Sequence, residues 1–320
     1  EQIAHVVGDR ADALGAGRHA RRIRWRTGVR WHTQRMDPKG SVNNTLERTL
    51  GRKGARQLRG RILGRTHLLP DYIIIGAARS GTTHLLGQLN AHPNVLEGPA
   101  ETHFFDTHRY TYGLGWYRLR FPANRVRRDA YGEGLHPVLT GESSPSYLAH
   151  PNVPARVARA IPHVKLFVLL RDPALRAASH WAWCLRQCGE TRSFKEAVEA
   201  EIGPRGDTDG LRIPRDKRLN DPLVVRRGIY QPQLERWRTH FPDSQLMVIQ
   251  SERWFRDPPG VMREVCDYLG IPHREELPRV MRNRNKPHDP FDEEVIEHLR
   301  EFYGPYNEEL AEYLDMELDW

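Results

Sequence analysis

The sequence predicts an α/β fold, a central and mainly parallel β-sheet with helices on both faces. Two observations carry this. Short apolar runs bounded by turn residues recur at Asp71–Gly76, Val138–Glu142, Val164–Leu170 and Leu246–Ile249. After the first, third and fourth of them, a turn leads into a stretch with helical spacing. Strands that alternate with helices over this length build a parallel sheet covered on both sides.

The elements follow in order. Asp71-Tyr-Ile-Ile-Ile-Gly76 is apolar without alternation, the mark of a strand buried on both faces. Thr82 to Ala91 reads as a helix with Leu85, Leu86 and Leu89 on one side, and His92-Pro-Asn stops it. Val138–Glu142 is a short strand ending at Glu-Ser-Ser-Pro. Val164–Leu170 is the clearest buried strand, and Arg171-Asp-Pro173 turns it into a helix running to about Arg186. Leu246–Ile249 is another strand, with Pro258 opening a helix to Leu269. Residues 189–222, rich in Gly, Arg, Asp and Pro, read as a long surface segment that could border a cleft. Ligands of such sheets sit at the carboxyl ends of the strands, where Glu101, Arg171 and the loop after Gly76 fall.

Composition sets the outer limits. A chain of 320 residues can bury one large α/β core. No run of about 18 apolar residues occurs, so the sequence holds no membrane-spanning helix, and residues 1–30 do not read as a signal peptide. Cys184, Cys188 and Cys266 cannot all pair. Cys184 and Cys188 read as half-buried thiols, and a reducing cytoplasm is the expected location. The 16 His residues include no metal-ligand spacing. The net charge of +8 is uneven: residues 1–70 hold 16 Lys and Arg against 5 Asp and Glu, and residues 71–320 hold 33 against 36. The expected organisation is a basic extension over 1–70 followed by a near-neutral domain over 71–320. The extension reads first as a solvated tail or a helix lying on the domain, and second as an arm meeting a membrane surface or an anionic acceptor. A nucleic-acid-binding protein acting through it is a weaker alternative, so nucleic acid is not an expected partner.

Gly76-Ala-Ala-Arg-Ser-Gly81-Thr82-Thr83 has the G-x4-G spacing of a P-loop, placed between a strand and a helix as that motif requires. Two glycines allow a tight turn, and the helix start aims backbone N–H groups at an anion. A nucleoside-triphosphate enzyme carries Lys after the second Gly, where this chain has Thr82. That argues against the alternative of a nucleotide kinase. The loop's one cation is Arg79, and no carboxylate is placed beside the loop to hold magnesium.

From Ile73 to Asp106 the sequence IIIGAARSGTTHLLGQLNAHPNVLEGPAETHFFD resembles the donor-binding region of sulfotransferases that use 3′-phosphoadenosine-5′-phosphosulfate (PAPS). The likeness is greatest to the heparan sulfate N- and 3-O-sulfotransferase group. It continues through Gly113–Tyr117, Gly141–Tyr147 and Leu170–Ser179, and reaches Phe302–Asn307 and Leu318–Trp320. The resemblance implies a P-loop-type fold, PAPS as donor, its bisphosphate PAP as product, and an acceptor bearing a hydroxyl or amine. It assigns Ala78, Arg79, Ser80, Gly81, Thr82 and Thr83 to the donor's phosphosulfate end and Arg171 with Ser179 to its 3′-phosphate. Arg284 and Lys286 fall where the family closes a basic segment over the donor. Two departures stand out. The heparan group has Lys at the position of Arg79, where tyrosylprotein sulfotransferases have Arg, and it has Lys at the position of Ser143.

Sulfuryl transfer needs a base near the attacking atom. Glu101 and His103 offer a carboxylate and an imidazole two residues apart, which point the same way if the segment is extended. In the family the carboxylate matching Glu101 is the base, and His103 matches a second active-site position. Glu142 and Asp106 are the rival carboxylates. Arg176 competes with Arg171 on the residues alone. Tyr230, before a helix that carries Leu234 and Trp237, reads as a packing residue.

Overall fold

The structure, a computed structural model, describes residues 40–202, 223–274 and 292–320. In chain order its helices are α1 (Gly40–Leu63), α2 (Thr82–Asn90), α3 (Leu114–Arg118), α4 (Asn124–Gly132), α5 (Val153–Ala160), α6 (Pro173–Gln187), α7 (Phe194–Ile202), α8 (Gln231–Arg238), α9 (Ser251–Arg256), α10 (Pro258–Leu269) and α11 (Glu293–Leu314). The strands are β1 (Tyr72–Gly76), β2 (Val95–Leu96), β3 (Leu139–Ser143), β4 (Lys165–Leu170) and β5 (Leu246–Gln250). They form one sheet in the order β2-β3-β1-β4-β5, and every pairing is parallel.

The apolar runs form these strands because both faces of the sheet are covered. Side chains alternate across a strand. Accordingly Ile73 and Ile75 of β1, with Leu166, Val168 and Leu170 of β4, enter one core, which includes Tyr117, Trp237 and Phe241. Tyr72, Ile74, Phe167 and Leu169 enter the opposite core with Leu85, Leu89 and Val265. A third cluster joins α6, α7 and α11. Burial pushes the Cys266 thiol up to about 11 and the Cys184 thiol up to about 12, the latter helped by Cys188. Thiols so placed are poor nucleophiles.

The predicted strands are present within about one residue. The long surface segment expected over 189–222 is corrected: it contains α7, whose Phe194, Ala197 and Val198 are core residues, and 203–222 lie outside the described residues. β2, two residues long, gave no apolar run to detect.

Residues 45–320 form one compact unit, with 1–44 grouped separately. The larger unit therefore takes in the last part of the basic stretch 1–70. α1 kinks at Gly51, and close approach of glycines holds the chain after it: a Cβ on Gly60 would stand 2.6 Å from Trp116 N, and one on Gly64 2.6 Å from Gly115 Cα. Arg56 donates to Tyr112 OH at 3.0 Å and Gln57 to Thr111 O at 2.7 Å. No helix among the described residues is long and apolar enough to cross a membrane.

Candidate active site

The loop between β1 and α2 crosses the carboxyl end of the sheet. Gly76 is required by crowding, since a Cβ there would lie 2.5 Å from Leu148 Cβ. Gly81 has φ +92 and is the N-cap of α2, and no side chain caps that end. The first amides of a helix lack intrahelical partners. Here the second glycine removes the usual side-chain cap and leaves those amides, with the positive end of the helix dipole, for a ligand. Ser80 is fully buried, and its Oγ has no hydrogen-bond partner among the described residues. Ser251 Oγ donates to Ser80 O at 2.7 Å and fixes the loop to the end of β5. Thr82 is buried. An uncapped helix end with an unsatisfied hydroxyl beside it fits an anionic donor.

Arg79, at φ +75, donates from Nε to Ser179 Oγ at 3.1 Å. Arg171 donates from Nη1 to Arg79 O at 3.2 Å, and Tyr230 OH donates to Arg171 O at 2.8 Å. The structure thus brings Arg79, Arg171 and Ser179 together, and the buried Tyr230 braces them from the core. Arg176 is fully buried instead and donates to Val224 O. Asp172 caps α6 through Ala174 N and Leu175 N. Burial lowers the pKa of Arg79, with the charges of Arg186 and Arg171 adding to it. Burial likewise lowers that of Arg171, against the pull of Glu252. Guanidiniums held this way gain when an anion joins them. Arg284 and Lys286 lie outside the described residues.

Glu101 and His103 are not in extended backbone. They sit at φ +50 and +48, and with Arg79 they make three of the four non-glycine residues of positive φ among the described residues. Such conformations persist where the surroundings impose them, and they gather at functional sites. Glu101 N donates to Ser143 O at 2.6 Å, which ties the segment to the end of β3. Two turned residues still bring the side chains near each other, with His103 Nε2 3.9 Å from Glu101 Oε2. The Glu101 side chain is 67 % exposed. His103 is raised above the usual histidine value: burial alone would lower it, but the hydrogen bond and charge of Asp106 and the charge of Glu101 outweigh burial and Arg109.

The rival carboxylates are committed elsewhere. Glu142 is fully buried and accepts from Tyr117 OH at 2.6 Å, Ser144 Oγ at 3.1 Å, Tyr147 OH at 3.4 Å and from Thr102 Oγ1. Burial raises its pKa despite these donors. It holds Thr102, between Glu101 and His103, against the core. Glu142→Ala should therefore destabilise the fold by about 1–3 kcal/mol, as buried donors left without their acceptor do, read by urea unfolding. Asp106 is buried and accepts from Ser146 Oγ at 2.5 Å, with His103 Nδ1 at 3.2 Å. A small hollow beside the loop is lined by Ala77 and Ala78, and by Ser146, Arg227 and Gln233. Ser146 and Arg227 were not singled out as site residues in the sequence, although Ser146 lies inside the recognised stretch Gly141–Tyr147. Among the described residues no cluster of three or more His, Cys, Asp or Glu could hold a metal ion.

A family model described as the sulfotransferase domain matches residues 69–288. The chain belongs to the sulfotransferase domain family. It is 30 % identical over 275 residues to human heparan sulfate glucosamine 3-O-sulfotransferase 3B1, covering 79 % of this chain and 65 % of that protein. It thus spans just under two thirds of that relative's length. Mouse heparan sulfate glucosamine 3-O-sulfotransferase 5 is 29 % identical over 276 residues, 79 % of this chain and 74 % of its own. The crystal structure of a sulfotransferase from Alicyclobacillus acidocaldarius aligns with a TM-score of 0.56 at 27 % identity, over 78 % of this chain and 98 % of that one. The sulfotransferase domain here is therefore a parallel P-loop-like sheet flanked by helices.

Proposed function

We propose that this sulfotransferase-family protein transfers a sulfuryl group from PAPS to a hydroxyl or amine of an acceptor. The observation that carries the reading is the uncapped loop with Arg79, Arg171 and Ser179 gathered at it, at the same end of the sheet as Glu101 and His103. When bound, the donor supplies the sulfuryl group and leaves as PAP. The loop amides and Ser80, Thr82 and Thr83 hold its phosphosulfate end, and Arg171 with Ser179 holds the 3′-phosphate through a two-pronged grip and a neutral donor. Arg79 stabilises charge on the sulfuryl oxygens as it shifts, a preorganised role that calls for no metal. The acceptor's proton passes to the exposed carboxylate of Glu101, with His103 beside it to share that proton. The acceptor class proposed is a carbohydrate, glycolipid or small natural product. The named relatives' glucosamine favours a carbohydrate hydroxyl, and Ser143 is buried where the heparan group has its lysine.

The test combines PAP titration calorimetry with PAP release from PAPS over a panel of hydroxyl- and amine-bearing acceptors. Wild-type protein should bind PAP, and Arg171→Ala should weaken that binding about tenfold to a hundredfold. Absence of PAP binding by the wild-type protein would sink the reading.

A further inference from the structure

One edge of the His103 ring is gripped by two groups to which the reading above gives no chemical role. Nδ1 lies 3.2 Å from Asp106 Oδ2 and 3.3 Å from Ser146 Oγ. Ser146 Oγ donates to the same Oδ2 at 2.5 Å. Asp106 Oδ1 is buried without a partner among the described residues, so both contacts converge on one oxygen. A carboxylate can only accept, and the Ser146 proton is committed to it. Nδ1 must then carry its own proton. Nε2, on the far edge and 3.9 Å from Glu101 Oε2, is left as the nitrogen where His103 gains and loses a proton.

We propose that Ser146 is a positioning residue of this site: it holds Asp106 and tempers the charge of the oxygen that meets Nδ1–H of His103, while Nε2 faces Glu101 and the acceptor. The proposal rests on the Glu101–His103 reading of the site, but it concerns a ring tautomer that can be read without turnover. Ser146 also lines a small hollow with Ala77 and Ala78, and its hydrogen bonds go to Asp106 and His103.

The charged groups facing the imidazole are Asp106 and Glu101, which favour its protonation, and Arg109, which opposes it. Ser146 donates to Asp106 and so draws charge from the oxygen nearest Nδ1. Its removal leaves more charge on that oxygen, and His103 should titrate at higher pH in Ser146→Ala than in the wild type.

The experiment is nitrogen–proton NMR of the histidine rings across pH, on the full chain, with kcat and PAP affinity measured alongside. The wild-type ring should show the Nδ1–H tautomer. Ser146→Ala should raise the His103 titration midpoint and lower kcat about tenfold, the scale of a lost hydrogen bond to a charged group, with PAP affinity unchanged within about twofold. Ser146→Thr, which keeps the hydroxyl, should restore both. A wild-type ring with its proton on Nε2 overturns the proposal. So does a Ser146→Ala protein whose His103 tautomer and midpoint match the wild type, whatever its kcat. Failure of the sulfotransferase reading would appear separately, as a wild type that neither binds PAP nor transfers sulfuryl.

Discussion

Glu101→Gln should lower kcat by about 10²–10⁴-fold, the range for loss of a positioned general base, with PAP affinity within a few-fold of wild type. The separation follows from geometry. The Glu101 side chain is two-thirds exposed, and the segment is held through its backbone N–H to Ser143 O, not through the carboxylate. Gln keeps the size and the backbone but cannot take a proton. Stability should therefore change by no more than about 0.5 kcal/mol, as for surface substitutions, and the thermal midpoint by about one or two degrees. Glu142→Gln is the contrasting control, because its carboxylate accepts from four side chains in the core. Its loss should show in unfolding before it shows in chemistry. A Glu101→Gln protein with normal turnover would remove Glu101 as the base and leave His103 for that role.

Arg79→Gln should cost about 10²–10³-fold in kcat, the scale measured when one preorganised donor to a developing anion is removed. Arg79→Lys should lose much less, since the charge stays, but not nothing, because lysine lacks the planar fork that reaches Ser179 and a sulfuryl oxygen together. The two variants separate charge from geometry. A stability signature should accompany them. Burial and the nearby Arg186 and Arg171 depress the Arg79 pKa, so the folded protein without donor holds that charge at a cost. Removing it should leave the free protein at least as stable as wild type while shrinking the thermal shift induced by PAP. Equal PAP-induced shifts in wild type and Arg79→Gln, with unchanged kcat, would remove Arg79 from the site.

Much of this arrangement was legible in the chain. The strands could be read because a parallel sheet covered on both faces demands continuous apolar runs, and β1 and β4 supply them. The loop could be read because glycine is needed at two positions for separate reasons, crowding by Leu148 at Gly76 and positive φ at Gly81. Other features could not be read. Nothing local indicates that Glu101 and His103 adopt left-handed backbone, and the extended pair expected from their spacing does not form. Arg171 and Arg176 are equivalent as residue types. Only the position of Val224, 48 residues beyond Arg176, draws that side chain into the core. Ser146 had no signal beyond its place in a recognised stretch, because its partners His103 and Asp106 lie some 40 residues upstream.

By itself, then, the sequence determined a parallel α/β domain with a glycine-bounded loop between its first strand and the following helix, and a short set of arginines and carboxylates from which a site could be assembled. Those follow from nearest-neighbour rules: alternation, turn chemistry and helix starts act over a few residues. The tertiary structure alone decided which carboxylate is free and which are consumed. Glu142 disappears into a net of four donors, Asp106 is bound to Ser146 beside His103, and Glu101 is left exposed at the end of β3. The physical reason is that burial and hydrogen-bond satisfaction are settled between residues far apart in the chain, where no local pattern records them.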